Sequence, residues 1–374
     1  MGARGYFGTH PAQKWVGVLL IAVALACVPF ALAAVGQTWV RVVNLALLYV
    51  MLSLGLNIVV GFAGLLDLGY IAFYAVGAYV YAILGSPQFD LHLPFWISLP
   101  IGFVAAAVFG VLLGTPTLKL RGDYLAIVTL GFGEIIRIFL NNLNAPVNIT
   151  NGPQGINLVD PLKLGSFSFS KTEVIAGLGF TGPMKYYYPL MLLTVVIIAL
   201  NLRLQDSRIG RAWEAIREDE TAAAAMGINT RNIKLLAFAM GASFGGLAGG
   251  LFASMQGFIS PESFSLLESV SVLAMVVLGG MGNIAGVILG AVLLTGLPEF
   301  IRFTVVPVQQ WVFGRVVVDP EAIRMLVFGL ALIVVMLVRP AGLWPSSIRK
   351  RELTTGANEA SAEGSPAGSS AVSS

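Results

Sequence analysis

The sequence predicts an all-α polytopic membrane protein, a transmembrane helical bundle of about ten spans with broken or re-entrant helices. Three observations predict it. Of the 374 residues 57% are hydrophobic and only 11% are charged, against roughly 25% charged in an ordinary soluble domain. Apolar runs long enough to cross about 30 Å of hydrocarbon recur from end to end. These runs lack the period-2 alternation of barrel strands, so helices are what remains to satisfy every backbone group inside lipid.

Reading the runs between polar or Pro/Gly-rich breaks places spans near 15 to 36, 38 to 60, 69 to 85, 95 to 114, 123 to 141, 186 to 203, 232 to 256, 266 to 282, 284 to 303 and 321 to 338. The first contains Ala31-Leu32-Ala33, which superficially resembles a signal-peptidase site, but the run exceeds a typical signal core and is expected to be retained. The eighth and ninth are the weakest, because Gly279 to Asn283 separates them so briefly that one could be a half-span. The segment Gly61 to Leu68 is expected to be broken backbone at membrane depth. The domain plan is a tail over 1–14, a transmembrane domain over 15–345 and a disordered tail over 346–374 of Gly, Ser, Ala, Glu and Asn. Two hydrophilic stretches interrupt the domain, one over 142–185 and a densely charged one over 204–231.

An even number of crossings puts both termini on one side. Fourteen of the 22 Lys and Arg then fall on that side, which the positive-inside bias makes cytoplasmic. The stretch 142–185 is thereby expected outside and 204–231 inside. The net charge of +3 is scattered among helix ends and lines no face, so no nucleic-acid partner is expected.

Residue supply argues against an enzyme. His10 and His92 lie in a tail and a loop, outside any H-E-x-x-H helix or Ser/His/Asp set, and no G-x-x-x-x-G-K-[ST] phosphate loop is present. No cofactor is expected on this chain, and any ATP must be bound by another. The single cysteine, Cys27, is expected to be a buried inert thiol that forms no disulfide and no metal site.

Glycines are abundant at membrane depth. Gly55, Gly61, Gly64, Gly69 and Gly77 lie in the second and third spans, and Gly241, Gly245, Gly246, Gly249 and Gly250 in the seventh. Close helix packing accounts for most of them, but clustered glycines also permit unwound backbone facing a polar solute. A pathway role is expected for Asn57, Gly61, Gly64, Asp67 and Gly69. Glu134 with Arg137, and Glu299 with Arg302, stand three apart and can neutralise each other on one helix face. Thr129 and Glu134 keep a pathway candidacy because Gly131 and Gly133 could open that face to a cavity. In the inner stretch, Asp219 can cap a short Ala-rich helix ended by Gly227, giving an amphipathic rod able to transmit force from a partner.

Several stretches together resemble a known family: Gly55 to Gly69, Gly122 to Gly131, Ile149 to Ile156, Arg208 to Ile228 and Val277 to Asn283. From about Asn44 to Pro345 the chain is similar to branched-chain amino-acid ABC transporter permeases of the LivM type. The resemblance implies a pore-forming subunit that pairs with a second, similar permease, two cytoplasmic ATP-binding subunits and a periplasmic solute-binding protein. It also implies that Glu218, Asp219, Glu220, Ala223 and Gly227 form the coupling element docking into an ATPase, although Thr221 interrupts the E-A-A…G pattern. A short uncharged lining suits leucine, isoleucine or valine; urea or short amides, which similar permeases carry, remain open, as does an autonomous channel or secondary transporter.

Overall fold

The computed structural model describes residues 25–34, 36–117, 120, 122–165, 167–170, 172–175, 178–313, 326, 329, 330, 333, 334, 337 and 342–344. They form α1 (Leu25–Ala34), α2 (Gln37–Leu56), α3 (Ile71–Leu84), α4 (Phe95–Thr117), α5 (Asp123–Asn142), α6 (Gly182–Gln205), α7 (Arg208–Glu218), α8 (Glu220–Ala225), α9 (Thr230–Gln256), α10 (Leu266–Gly279) and α11 (Ile284–Phe313). Six helices are long and apolar enough to cross a membrane: α2 with its continuation to Phe62, α4, α6, α9, α10 with the turn before it, and α11; α1 and α3 are shorter apolar helices. A helical bundle is therefore present. The tails 1–14 and 346–374 lie outside the described residues, as does most of the span expected over 321–338, whose described positions 326, 329, 330, 333, 334 and 337 are helical.

Small residues decide the core. Gly246 of α9 packs so tightly on α3 and α4 that an added Cβ would come within 2.3 Å of the Ala106 Cβ and 2.8 Å of the Gly102 carbonyl oxygen. Gly77 of α3 sits against the Gly246 carbonyl, and Gly249 against that of Tyr74. Backbones that approach this closely gain dispersion contacts along their whole length. For Gly77 and the α9 glycines, packing is the role the structure supports. Around this core the outer faces of α4, α5, α6 and α11 stay apolar and exposed, as with Val104, Ile135, Leu192 and Val292.

Cross-contacts set each helix's direction. Asn44 Nδ2 donates to the Pro183 carbonyl at 2.7 Å and Thr181 bonds Gln37, so α2 and α6 begin at one end, called here the upper end. At the lower end Trp213 Nε1 donates to the Ile233 carbonyl at 2.8 Å, tying α7 to the start of α9. α10 runs parallel to α2, with Tyr49 on Glu268, Ser53 on Met275 and Asn57 on Gly282. α11 runs back, placing Phe303 edge-on to Trp39 at the upper end. Leu343 and Trp344 are again at the lower end, donating to the carbonyls of Leu278 and Gly279.

α11 has 30 residues, and α10, with 14, reaches crossing length together with the turn Pro261–Phe264 before it, so neither is a half-span. Gly280 and Gly282 have φ of 118° and 81°, and Asn283 Oδ1 accepts from the Ala285 and Gly286 amides, so the four residues Gly280 to Asn283 suffice to turn the chain. The upper stretch 142–185 adds short antiparallel pairs that the sequence did not signal. One of them, β1 (Ile156–Asn157) with Phe258–Ile259, ties this stretch to the end of α9. Cys27 is exposed, contrary to expectation. α1 leans on α6 through hydrogen bonds from Tyr187 and Tyr188 to the carbonyls of Leu25 and Ala26, which leaves the Cys27 face uncovered.

Candidate functional site

α2 does not end where its apolar run ends. From Asn57 to Phe62 it widens into a π-helical turn, and from Ala63 to Gly69 the backbone is not helical. π-turns leave backbone groups misaligned and are frequent at functional sites. α3 has only 14 residues, about 21 Å at the helical rise, so it needs this extended chain to complete a crossing of about 30 Å. The broken backbone expected over Gly61 to Leu68 is what the structure contains.

Side chains from distant elements satisfy the segment. Asn57 Oδ1 accepts from the Gly282 amide at 2.9 Å, fastening the π-turn to the α10–α11 turn. Thr129 Oγ1 of α5 accepts from the Leu68 amide at 3.0 Å, and Ser269 Oγ of α10 donates to the Leu68 carbonyl at 2.6 Å. Asp67 is fully buried, its Oδ1 accepting from the Gly69 amide at 2.9 Å. Among the described residues, Asn57 Nδ2 and Asp67 Oδ2 have no hydrogen-bond partner. Buried polar atoms left so are costly, and a solute that supplies their missing partners would relieve that cost.

The glycines here serve close approach. A Cβ at Gly69 would lie 2.0 Å from the Thr129 carbonyl oxygen, and one at Gly61 would lie within 2.0 Å of Asn57 Oδ1. Gly64 has φ +69°, and the side chain of Arg217 covers it, with Cγ 2.8 Å from the position of a Cβ. Arg217 Nη1 then donates to the Gly61 carbonyl at 2.6 Å. A residue of the charged loop thereby grips the broken segment directly.

The loop that supplies Arg217 is two helices and not a continuous rod. Ser207 caps α7; Asp219, with extended backbone, turns the chain and caps α8 by accepting from the Thr221 and Ala222 amides at 2.7 and 3.0 Å. Gly227, φ +84°, ends α8 as expected. Trp213 and Ile216 are buried against the bundle, and Ala223 is buried beneath α8. Glu220 pairs with nearly buried Lys234 of α9 at 2.6 Å, while Glu218 is exposed. Met226 at the tip is 84% exposed. A cleft of about 230 Å³ runs between Gly64, Asp123, Arg217 and Lys234, so loop and segment share one cavity.

The sequence profile of a family described as the branched-chain amino acid transport system permease component matches residues 38–336. The chain belongs to this family. It is 43% identical over 363 residues to the high-affinity branched-chain amino acid transport system permease protein LivM of Escherichia coli (strain K12), covering 94% of this chain and 79% of that protein. It is 26% identical over 306 residues to BraD of Pseudomonas aeruginosa, covering 79% and 91% of the two chains, and 26% identical over 266 residues to LivH of Escherichia coli, covering 69% and 82%. No solved structure matches the chain.

In this multi-pass permease the expected pathway residues do not all converge. Asn57, Gly61, Gly64, Asp67, Gly69 and Thr129 are joined by the contacts above. Glu134 pairs with Arg137 at 3.0 Å, and Arg137 also reaches Glu262 at 3.3 Å, so Glu134 belongs to a network toward the upper end. Arg217, Ser269 and Gly282 complete the site and were not expected. Only Arg217 left a signal: on an amphipathic α7 it lies four residues after Trp213, on the face that packs inward.

Proposed function

We propose that this permease is the membrane-spanning subunit of an ABC importer that carries leucine, isoleucine or valine across the bacterial inner membrane. It works beside a second, similar permease, two cytoplasmic ATP-binding subunits that hold the ATP, and a periplasmic solute-binding protein. The upper end faces the periplasm; the lower end, with the termini and α7–α8, faces the cytoplasm. Ten crossings are proposed: α1, α2, the broken segment with α3, α4, α5, α6, α9, α10, α11 and a tenth that includes the helical positions 326, 329, 330, 333, 334 and 337. The alternating helix directions and the lower-end position of Leu343 and Trp344 support that count.

One observation carries the mechanism: the Arg217 to Gly61 hydrogen bond, which joins the charged loop to non-helical backbone inside the bundle. The exposed tip at Met226 and the exposed Glu218 form the surface that meets an ATPase. When that partner moves α7 and α8, Arg217 pulls the Gly61 carbonyl, and the 63–69 segment slides against Thr129 and Ser269. Polar groups of the segment then exchange partners with each other and with the ammonium and carboxylate of the solute.

Reconstitution in proteoliposomes tests the reading. Leucine uptake is expected only when the partner permease, the ATP-binding subunits, the binding protein and ATP are all present. Leucine movement by this chain alone, indifferent to ATP, would make it a channel or secondary transporter.

A further inference from the structure

At the upper end a cleft of about 450 Å³ opens between the start of α2, the start of α6 and the end of α9, a size common to small-molecule sites. No sequence motif pointed to it, and it lies apart from the 57–69 segment. Its lining is unlike that of a lipid-facing groove. Arg41 lines it and is exposed, bringing a guanidinium to the opening. Leu45, Phe252 and Met255 supply apolar wall, and Tyr186 is held rigid, its hydroxyl donating to the Ser254 carbonyl at 2.8 Å while accepting from the Leu162 amide at 3.0 Å.

Asn44 is the telling residue. It lines the cleft, is 1% exposed, and its Nδ2 donates to the Pro183 carbonyl. A carbonyl can only accept, so the amide nitrogen must face Pro183 and the amide oxygen must face away from it. Among the described residues no donor reaches that Oδ1. A buried acceptor without a donor is unfavourable until something supplies an N–H, and a guanidinium close by on the same helix face attracts an anion. One helical turn separates the two groups, since Arg41 and Asn44 stand three apart.

We propose that this cleft is an outer binding site for a free α-amino acid. The ammonium donates to Asn44 Oδ1, Arg41 donates to the carboxylate, and the aliphatic side chain lies on Leu45, Phe252 and Met255. The inference rests on the import reading above, with the upper end facing the periplasm. It adds a station where solute waits before it reaches the broken segment, and it gives the permease a selectivity of its own for both charges of the zwitterion.

The assembled transporter without its solute-binding protein, in lipid nanodiscs, is titrated with radiolabelled leucine, which is then displaced by leucine, by leucinamide (no carboxylate) or by isocaproate (no ammonium). Leucine is expected to displace at a concentration at least about ten-fold below either analogue, because a site built around a charged group rejects the ligand lacking it. Arg41→Gln should bring leucine and leucinamide together while isocaproate stays weak. Asn44→Leu should bring leucine and isocaproate together; because Asn44 is buried, the exposed Arg41 variant secures the test if Asn44→Leu fails to assemble. Absence of saturable leucine binding, equal displacement by leucinamide, or an unchanged preference in Arg41→Gln would overturn the site. If ATP-driven leucine uptake persists through that result, only this site is lost. If the complete system takes up no leucine at all, the import reading fails with it.

Discussion

Replacing Gly69 by Ala strikes the broken segment at its tightest point. The new Cβ would stand 2.0 Å from the Thr129 carbonyl oxygen and 2.8 Å from its carbon, both backbone atoms that cannot swing aside. Ordinary contact begins at 3.4 Å, so segment and helix α5 must part by 3.4 − 2.0 = 1.4 Å. A shift of that size carries the 3.0 Å bond from the Leu68 amide to Thr129 Oγ1 beyond reach. Overpacking of this kind costs about 1–3 kcal/mol, and the lost hydrogen bond about 1 kcal/mol more. A total of about 2–4 kcal/mol changes the balance between conformers by about 30-fold or more. Leucine uptake by the complete transporter, normalised to permease in the membrane, should fall by about that factor. Gly131→Ala on the same helix is the control, because a Cβ there meets nothing within 4 Å. Equal uptake by the two variants would refute the claim that the 63–69 segment must pass close to α5.

Further outcomes follow from the same contacts. Asp219→Ala removes the cap of α8, worth about 0.5–2 kcal/mol, and should lower uptake and ATPase binding in pull-down while the bundle still inserts. Glu218→Lys, on an exposed position, should weaken ATPase binding without lowering thermal stability, whereas Glu220→Lys should lower both because Lys234 loses its partner. Asp160 anchors the upper stretch. Partial burial pushes its carboxyl up, but hydrogen bonds and charge from Lys163 and His92 outweigh that and hold it below the ordinary range. A lowered folded value means that the stabilisation is complete above the unfolded carboxylate value of about 4 and is lost as pH falls through the folded one. The protection factor of the Asp160 amide, which donates to the Gly85 carbonyl, should therefore stay high at pH 6 and fall only in strong acid, and in Asp160→Asn it should be low at both pH values.

Much of this was legible in the sequence because lipid enforces simple rules. α2, α4, α6 and α9 announce themselves by length and apolarity, Asp219 by its place before an alanine run, and Gly227 by the need for a positive φ at a helix end. The break at 61–68 was legible because Gly61, Gly64 and Gly69 surround Asp67 in an otherwise apolar run. The eighth and ninth spans read as weak because Gly279 to Asn283 is so brief a break, yet two positive-φ glycines and the Asn283 cap make it sufficient. What the sequence hid was pairing at a distance. Arg217 and Gly61 are 156 residues apart, and an arginine in a charged loop reads first as a topology signal. For Glu134 the sequence allowed both an ion pair with Arg137 and a place on the pathway; the structure contains the pair, and what spacing could not show is Glu262, 125 residues from Arg137, as its further partner. Asn44 left no mark in an apolar run, since its importance lies in an oxygen that only the packing of α6 strands.

The ratio of leucine imported to ATP hydrolysed in the Arg217→Met transporter tests the account most directly. Methionine keeps the packing over Gly64 but cannot donate to the Gly61 carbonyl, a charge-assisted bond worth about 1.5–3 kcal/mol. ATP hydrolysis should continue while uptake per ATP falls about ten-fold or more. An unchanged ratio would contradict the claim that the cytoplasmic loop drives the broken segment through Arg217.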